Sequence, residues 1–298
     1  MDFTSLIERK LVTAKRYENG LTVYKYSRKV FYEALWNEDP LLLEARGLVM
    51  DDDGNIVIWP FTKVFNHHEN GTECEPGRMV NYVRKVNGFM SAARFYKGEW
   101  LISTTGSLDS DFAAMAHKHI MKLGWSELPD PRLVFLFEIV DETDPHIVQE
   151  DVGAWLIGVR VIRPGSPQHG LMACEYQLDD IAEEIGAKRP EWKQDTFENC
   201  LAELQTVEHE GFMVRDAWTE ETIMKLKSPH YLTKKFLMRM GKNKAKEMFQ
   251  DPVGFKMKLD EEFYSVFDRI IGSYTEQGWT ELSDQERRAV IEDIIKEV

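Results

Sequence analysis

The first two-thirds of the chain reads as short apolar runs broken by glycine-containing turns, the pattern of antiparallel strands. Leu48-Val49-Met50, Asp53-Gly54 and Ile56-Val57-Ile58 predict a hairpin, because Asp-Gly accepts the positive φ angles of a tight turn. Phe89 to Tyr96, Lys97-Gly98 and Trp100 to Thr104 predict a second, and Phe212 to Ala217 with Thr222 to Lys227 a third. Leu133 to Val140 and Ala154 to Ile162 read as buried strands. Asp109 to Leu123 and Leu178 to Ile185 carry helical spacing, and Arg163-Pro164-Gly165-Ser166-Pro167 is a loop. After about Tyr231 the period changes. Leu259, Phe263, Val266, Phe267, Ile270, Ile271 and Tyr274 fall on one helical face, and Ser283 with Glu286 forms a capping-box signature before Val290, Ile291, Ile294 and Ile295.

Composition adds a globular core, with 43% hydrophobic and 30% charged residues in 298. The apolar runs are far shorter than the ~20 residues that span a bilayer, and Met1-Asp2-Phe3-Thr4 does not open a signal peptide. Cys74, Cys174 and Cys200 are too scattered for a disulfide framework or zinc site, so a reducing cytosol is expected. The net charge of −14 argues against nonspecific nucleic-acid binding, with one exception. Thr222 to Lys246 holds Lys225, Lys227, Lys234, Lys235, Arg239, Lys242, Lys244 and Lys246 and no acid. Such a run is either a solvated helix face or a patch that steers a polyanion.

Several polar residues stand out against the strands. Lys85-Val86-Asn87-Gly88 puts a lysine before a glycine turn, which suits a nucleophile approached closely by a nucleotide, or an ordinary exposed turn. Glu138 interrupts an apolar strand and must be paired, coordinated or hydrogen-bonded. Glu210 stands where a strand begins. Lys225 and Lys227 share one face of a strand, either around a multiply charged anion or as guards of a sheet edge. No P-loop, dinucleotide fingerprint or serine elbow is present, and His67-His68 and His117-x-His119 lack helical metal-pair spacing.

In order, Lys85-x-Asn87-Gly88, the acid in an apolar strand, Glu210-Gly211 and Lys225-x-Lys227 resemble the motif series of covalent nucleotidyltransferases, the polynucleotide ligases and mRNA capping enzymes. Further segments narrow the resemblance to the phage T4-type RNA ligase 1 family. They are Glu44-Ala45-Arg46-Gly47-Leu48-Val49, Trp59-Pro60-Phe61-Thr62-Lys63-Val64-Phe65-Asn66 with Glu69, and Thr105-Gly106-Ser107. Phe137-Glu138-Ile139-Val140, Leu156 to Arg160, and Lys225-Leu226-Lys227-Ser228-x-x-Tyr231 complete the series. The resemblance implies an α+β fold: an antiparallel-sheet-rich nucleotidyltransferase domain over residues 1–236, then a small all-α C-terminal domain over 237–298.

It further implies an ATP-dependent RNA ligase of three steps. Lys85 attacks the α-phosphate of ATP to give lysyl-AMP, AMP passes to an RNA 5′-phosphate, and a 3′-hydroxyl displaces it. By the same resemblance Tyr26, Arg46, Lys63, Asn87, Gly88, Glu138, Lys225 and Lys227 contact ATP. Glu210 helps hold Mg²⁺, with Mn²⁺ as the alternative ion, and Tyr231 is a further functional position. Lys225 and Lys227 are expected to lower the pKa of Lys85, and Lys234 and Lys235 to bind RNA. The implied setting is RNA repair in the cytoplasm, the host's if phage-encoded, with no membrane and an end-healing polynucleotide kinase-phosphatase as partner. Two positions depart from the family pattern: Asn87 replaces an aspartate and Thr105 a lysine. The rivals are a DNA ligase or capping enzyme, which would carry a β-rich domain after Lys227, and a catalytically inactive nucleotide- or RNA-binding module of the same fold.

Overall fold

The computed structural model describes residues 1–125, 129–144, 146–239, 242–259 and 263–297, with side chains except those of 237–239, 242, 284 and 296. Among the described residues, twelve strands form three four-stranded antiparallel sheets. The first, in spatial order, is β1 (Val12–Arg16), β2 (Leu21–Tyr26), β3 (Arg46–Asp51) and β4 (Ile56–Ile58). The second joins β5 (Met79–Arg84) to β10 (Trp192–Thr196) on one side and to β11 (Gly211–Asp216) and then β12 (Thr222–Lys227) on the other. In the third, β7 (Glu99–Thr104), β6 (Phe89–Tyr96), β8 (Leu133–Val140) and β9 (Gly153–Val161) lie in that order. The three predicted hairpins are present as β3–β4, β6–β7 and β11–β12.

The helices before β12 are α1 (Thr4–Glu8), α2 (Arg28–Tyr32), α3 (Leu41–Glu44), α4 (Asp111–Ile120), α5 (Glu175–Ile185) and α6 (Phe197–Leu204). The central strand β8 shows how the layers stack. Its residues alternate, so Phe135, Phe137 and Ile139 pack on α4 and α5, while Val134 and Leu136 meet Val23, Val49 and Ile58 of the first sheet. Both faces are buried, which is why β8 is apolar throughout except at Glu138. Each such large side chain contributes about 1.5–3 kcal/mol of burial. The outer face of the first sheet packs on α1–α3 around Trp36 and Phe65, and the second sheet packs on α6.

Every element described after β12 is helical: α7 (Pro229–Arg239), α8 (Lys242–Gln250), α9 (Pro252–Lys256), α10 (Tyr264–Ser273), α11 (Glu276–Glu281) and α12 (Asp284–Glu297). They enclose their own core of Phe236, Met248, Phe263, Phe267, Trp279 and Ile291. The apolar face predicted from Leu259 to Tyr274 is shorter as a helix, since α10 opens at Tyr264 and Leu259 and Phe263 reach the core from before it. The capping box forms: Ser283 N–H donates to Glu286 Oε2 at 2.8 Å and Glu286 N–H to Ser283 Oγ at 3.3 Å. Among the described residues no helix is long and apolar enough to cross a membrane.

Candidate active site

Residues 85–88 carry the chain from the end of β5 in the second sheet to the start of β6 in the third. Lys85 N–H donates to the Gly211 carbonyl at 2.8 Å, which anchors the nucleophile candidate on β11. At the other end Gly88 presses against β8. A Cβ there would overlap the Ile139 carbonyl oxygen, and its N–H donates to Glu138 Oε1 at 3.2 Å. Glycine is therefore required here by a neighbouring strand.

The charged groups converge on Glu210, which is buried. Its Oε2 accepts from Lys85 Nζ and Asn87 Nδ2, both at 2.8 Å, and its Oε1 lies 3.7 Å from Lys227 Nζ. Asn87 in turn accepts from Val148 N–H at 3.1 Å through Oδ1. The amide thus fits a slot with a donor on one side and a carboxylate on the other, a slot in which an aspartate would face Glu210 with like charge.

This arrangement corrects the expected electrostatics of Lys85. Burial alone would lower its pKa, but Glu210 and then Glu138 outweigh it, and the ammonium is held above its ordinary value. Lys85 is therefore a protonated, paired lysine in this state rather than a neutral one. Burial would raise Glu210, but Lys85 and then Lys227 hold it below its ordinary value as an anion. Glu138 is pushed up by burial, with Lys85 opposing. Arg46, at the start of β3, donates to Met90 Sδ at 3.6 Å, and Met90 pairs with Glu138 across β6 and β8. Its guanidinium is close enough to favour the Glu138 carboxylate.

β12 completes the site. Gly211 is paired with Lys227 at φ +137°, and a Cβ there would overlap the Leu226 carbonyl oxygen. Ser228 Oγ accepts from Tyr231 N–H at 3.1 Å, turning the chain from β12 into α7. The turn sets the Tyr231 ring 5.2 Å from Lys227 Nζ. Lys225 is tied to a different segment: its N–H donates to the Phe65 carbonyl at 2.9 Å. Lys225 and Lys227 both border a cavity of about 630 Å³ that Trp36, Asn66 and Leu232 also line.

The sequence model of a family described as RNA ligase, of the T4 type 1, matches residues 44–264. The chain belongs to the RNA ligase family. No curated protein sequence matches this RNA ligase. Two archaeal structures, an ATP-dependent RNA ligase in forms 2 and 1, match it with TM-scores of 0.59 and 0.55 at 16% and 14% identity. Each match covers 98% of this chain and 75% of the other. A protein of Aquifex aeolicus described as an ATP-dependent DNA ligase gives 0.57 at 16% identity, over 98% of this chain and 76% of that one. At such identities the likeness is one of fold.

Around Glu210, then, the RNA ligase gathers Lys85, Asn87, Gly88, Glu138, Lys227 and Tyr231, with Arg46 beside Glu138. Lys63 enters other contacts. Its side chain is only 6% exposed, with Nζ 4.7 Å from the Trp36 ring, 4.9 Å from that of Phe65 and 3.4 Å from Glu69 Oε1. Tyr26 stands edge-on to Trp36 at 4.8 Å and borders a second cavity with Lys25, Arg28 and Lys258.

The basic run divides. Lys234, Lys244 and Lys246 are exposed, and the side chains of Arg239 and Lys242 lie outside those described. Lys235, expected on an RNA-binding face, is only 7% exposed, with Nζ 5.5 Å from the Tyr231 ring and 5.3 Å from that of Phe263. As the i+4 neighbour of Tyr231 it shares that residue's inward face.

Three further residues escaped sequence reasoning. Arg84 and buried Glu150 form an ion pair of 2.5 Å beside the nucleophile turn. Lys25 pairs with Arg46 across β2 and β3, and its Nζ lies 3.3 Å from where a Gly106 Cβ would stand. A lysine thus reaches the turn where Thr105 departs from the family pattern.

Proposed function

We propose that this RNA ligase uses ATP and joins RNA 5′-phosphate and 3′-hydroxyl ends through lysyl-AMP on Lys85 and an RNA-adenylate. The observation that carries the proposal is the pairing of Lys85 with the buried Glu210, flanked by Lys227, Glu138 and Arg46. A lysine enclosed with acids and cations is suited to phosphoryl chemistry, where positioning and charge stabilisation dominate.

Lys85 Nζ must lose its proton to attack the α-phosphate, with pyrophosphate leaving. Glu210 Oε2, at 2.8 Å, is the acceptor nearest that proton. Once Glu210 turns away, the largest influence left on Lys85 is burial, which favours the neutral amine. Glu210 is an ionised oxygen donor, so it fits Mg²⁺ or Mn²⁺, and such an ion would supply positive charge to the phosphates when bound. Lys225 and Lys227 would neutralise the phosphates from β12. Glu138 would accept from ribose hydroxyls, and Arg46 and Lys25 would meet phosphate from β2 and β3. Tyr26, Lys63 and Tyr231 would bound the nucleotide site through the aromatic packing described above.

The helical segment, residues 237–298, is proposed as a separate C-terminal domain, with exposed Lys234, Lys244 and Lys246 steering RNA toward the site. Joining of such ends is repair chemistry, supplied by an end-healing polynucleotide kinase-phosphatase and carried out in the cytoplasm. The test is joining of a labelled single-stranded RNA bearing a 5′-phosphate. A circular or longer product that needs ATP and Lys85 supports the reading, and no product on RNA but product on nicked DNA would contradict it.

A further inference from the structure

The loop after Asn66 brings together three side chains that take no part in the chemistry above. Adjacent residues of an extended chain point to opposite sides. His67 and His68 do not: their rings stack with centroids 3.7 Å apart. The cause is His68, at φ 66° in the left-handed region, which turns its ring back over that of His67. For a residue with a Cβ that conformation costs about 1–2 kcal/mol. The chain then reverses through Asn70 and Gly71, with His68 N–H donating to the Thr72 carbonyl at 2.9 Å, and returns Glu73 to both rings. Glu73 Oε2 is 3.5 Å from His67 Nε2, and Oε1 is 2.8 Å from His68 Nδ1.

We propose that His67, His68 and Glu73 form a site for a borderline divalent transition-metal ion of the Zn²⁺ class. Two imidazoles and a carboxylate are its preferred donors, and Mg²⁺ would not choose them. The three ligand atoms lie within 4.8 Å of one another. A tetrahedral ion with bonds of about 2.0–2.1 Å needs its donors about 3.3 Å apart. Glu73 already meets each ring with a different oxygen, at 3.5 and 2.8 Å, and the two stacked rings must rotate to bring both nitrogens in plane with one ion. His67 is the fixed ligand, with only 21% of its side chain exposed and its ring edge-on to Phe197 at 5.3 Å. Both histidines border the cavity that Lys225 and Lys227 line, so an ion here adds positive charge at its rim and has coordination positions open to an oxyanion. That last role rests on the ligase reading, whereas the metal site does not.

Zn²⁺ titrated calorimetrically into the full chain tests the site, with His67→Ala, His68→Asn, Glu73→Gln and Lys85→Ala as variants. Asparagine tolerates the left-handed backbone at position 68, so that change removes the imidazole without forcing the loop to move. The expected result is one ion per chain, affinity at least about tenfold weaker in each of the three loop variants, and no change in Lys85→Ala. Co²⁺ in place of Zn²⁺ should give the visible absorption of a tetrahedral site, lost in His68→Asn. No binding to the wild type, or equal affinity in His67→Ala and His68→Asn, would overturn the proposal. Retained Zn²⁺ binding in a protein that fails to join RNA would overturn the ligase reading alone.

Discussion

The ammonium of Lys85 lies 2.8 Å from Oε2 of Glu210, a residue 125 positions away, at the end where β5 pairs with β11. The contact holds the nucleophile candidate in its unreactive protonated form and the carboxylate in its ionised form. Glu210 is thus both a counter-ion and the gate on the amine.

The amine's reactivity should follow that gate. Glu210 raises the Lys85 pKa, so Glu210→Gln should lower it and increase the neutral fraction at a given pH. Competitive acylation of Lys85, read by mass spectrometry of its peptide, should rise with pH in both proteins. At pH 8 it should be about tenfold faster in the variant, the effect of 1.36 kcal/mol of lost charge interaction. Equal rates would mean that the pair does not control the proton.

Gly88 and Gly211 are demanded by neighbouring carbonyls. Gly88→Ala would drive Cβ into Ile139, and Gly211→Ala into Leu226 at an unfavourable φ. Each should destabilise the fold by about 1–3 kcal/mol, seen as a lower Tm by calorimetry. An unchanged Tm for either would contradict the packing described.

Two adjacent lysines should separate cleanly. Lys234→Ala should weaken RNA binding without affecting ATP binding, and should flatten the salt dependence by about 0.7 in log–log slope, the value for one single-strand phosphate contact. Lys235→Ala should instead lower Tm, because its side chain lies between Tyr231 and Phe263. A full RNA effect from Lys235 with no thermal effect would reverse the assignment.

Glu150→Ala should act at a distance from the reacting atoms. It leaves the Arg84 guanidinium, 28% exposed, without its buried partner next to the nucleophile turn. A loss of about 1–3 kcal/mol of stability is expected, with ATP affinity falling less than the rate of lysyl-AMP formation. Wild-type Tm and rate would remove Glu150 from the turn's support.

The hairpins were legible because period-two apolar runs and glycine turns are local signals. β10 was not: Trp192-Lys193-Gln194-Asp195-Thr196 is mostly polar and is a strand only because it pairs with β5. β5 hides for a related reason. Its Asn81 is buried, accepting from Gln194 at 3.0 Å and donating to Glu220 at 3.2 Å, partners that no local pattern reveals. The site residues could be named from motif order, and most converge. Their pairing could not, since Lys85 meets Glu210, 125 positions further along the chain, only because β5 pairs with β11. Lys235 shows the same limit: charge suggested solvent, while the helical period relative to Tyr231 places it inward.

The most direct test is incubation with α-labelled ATP and Mg²⁺, followed by denaturing electrophoresis beside Lys85→Ala. The account predicts label retained by the wild type, removed by added pyrophosphate and absent from the variant. Label of equal intensity on Lys85→Ala, or none on folded wild type shown to carry no prior AMP, would contradict it and leave a nucleotide-binding module of the ligase fold.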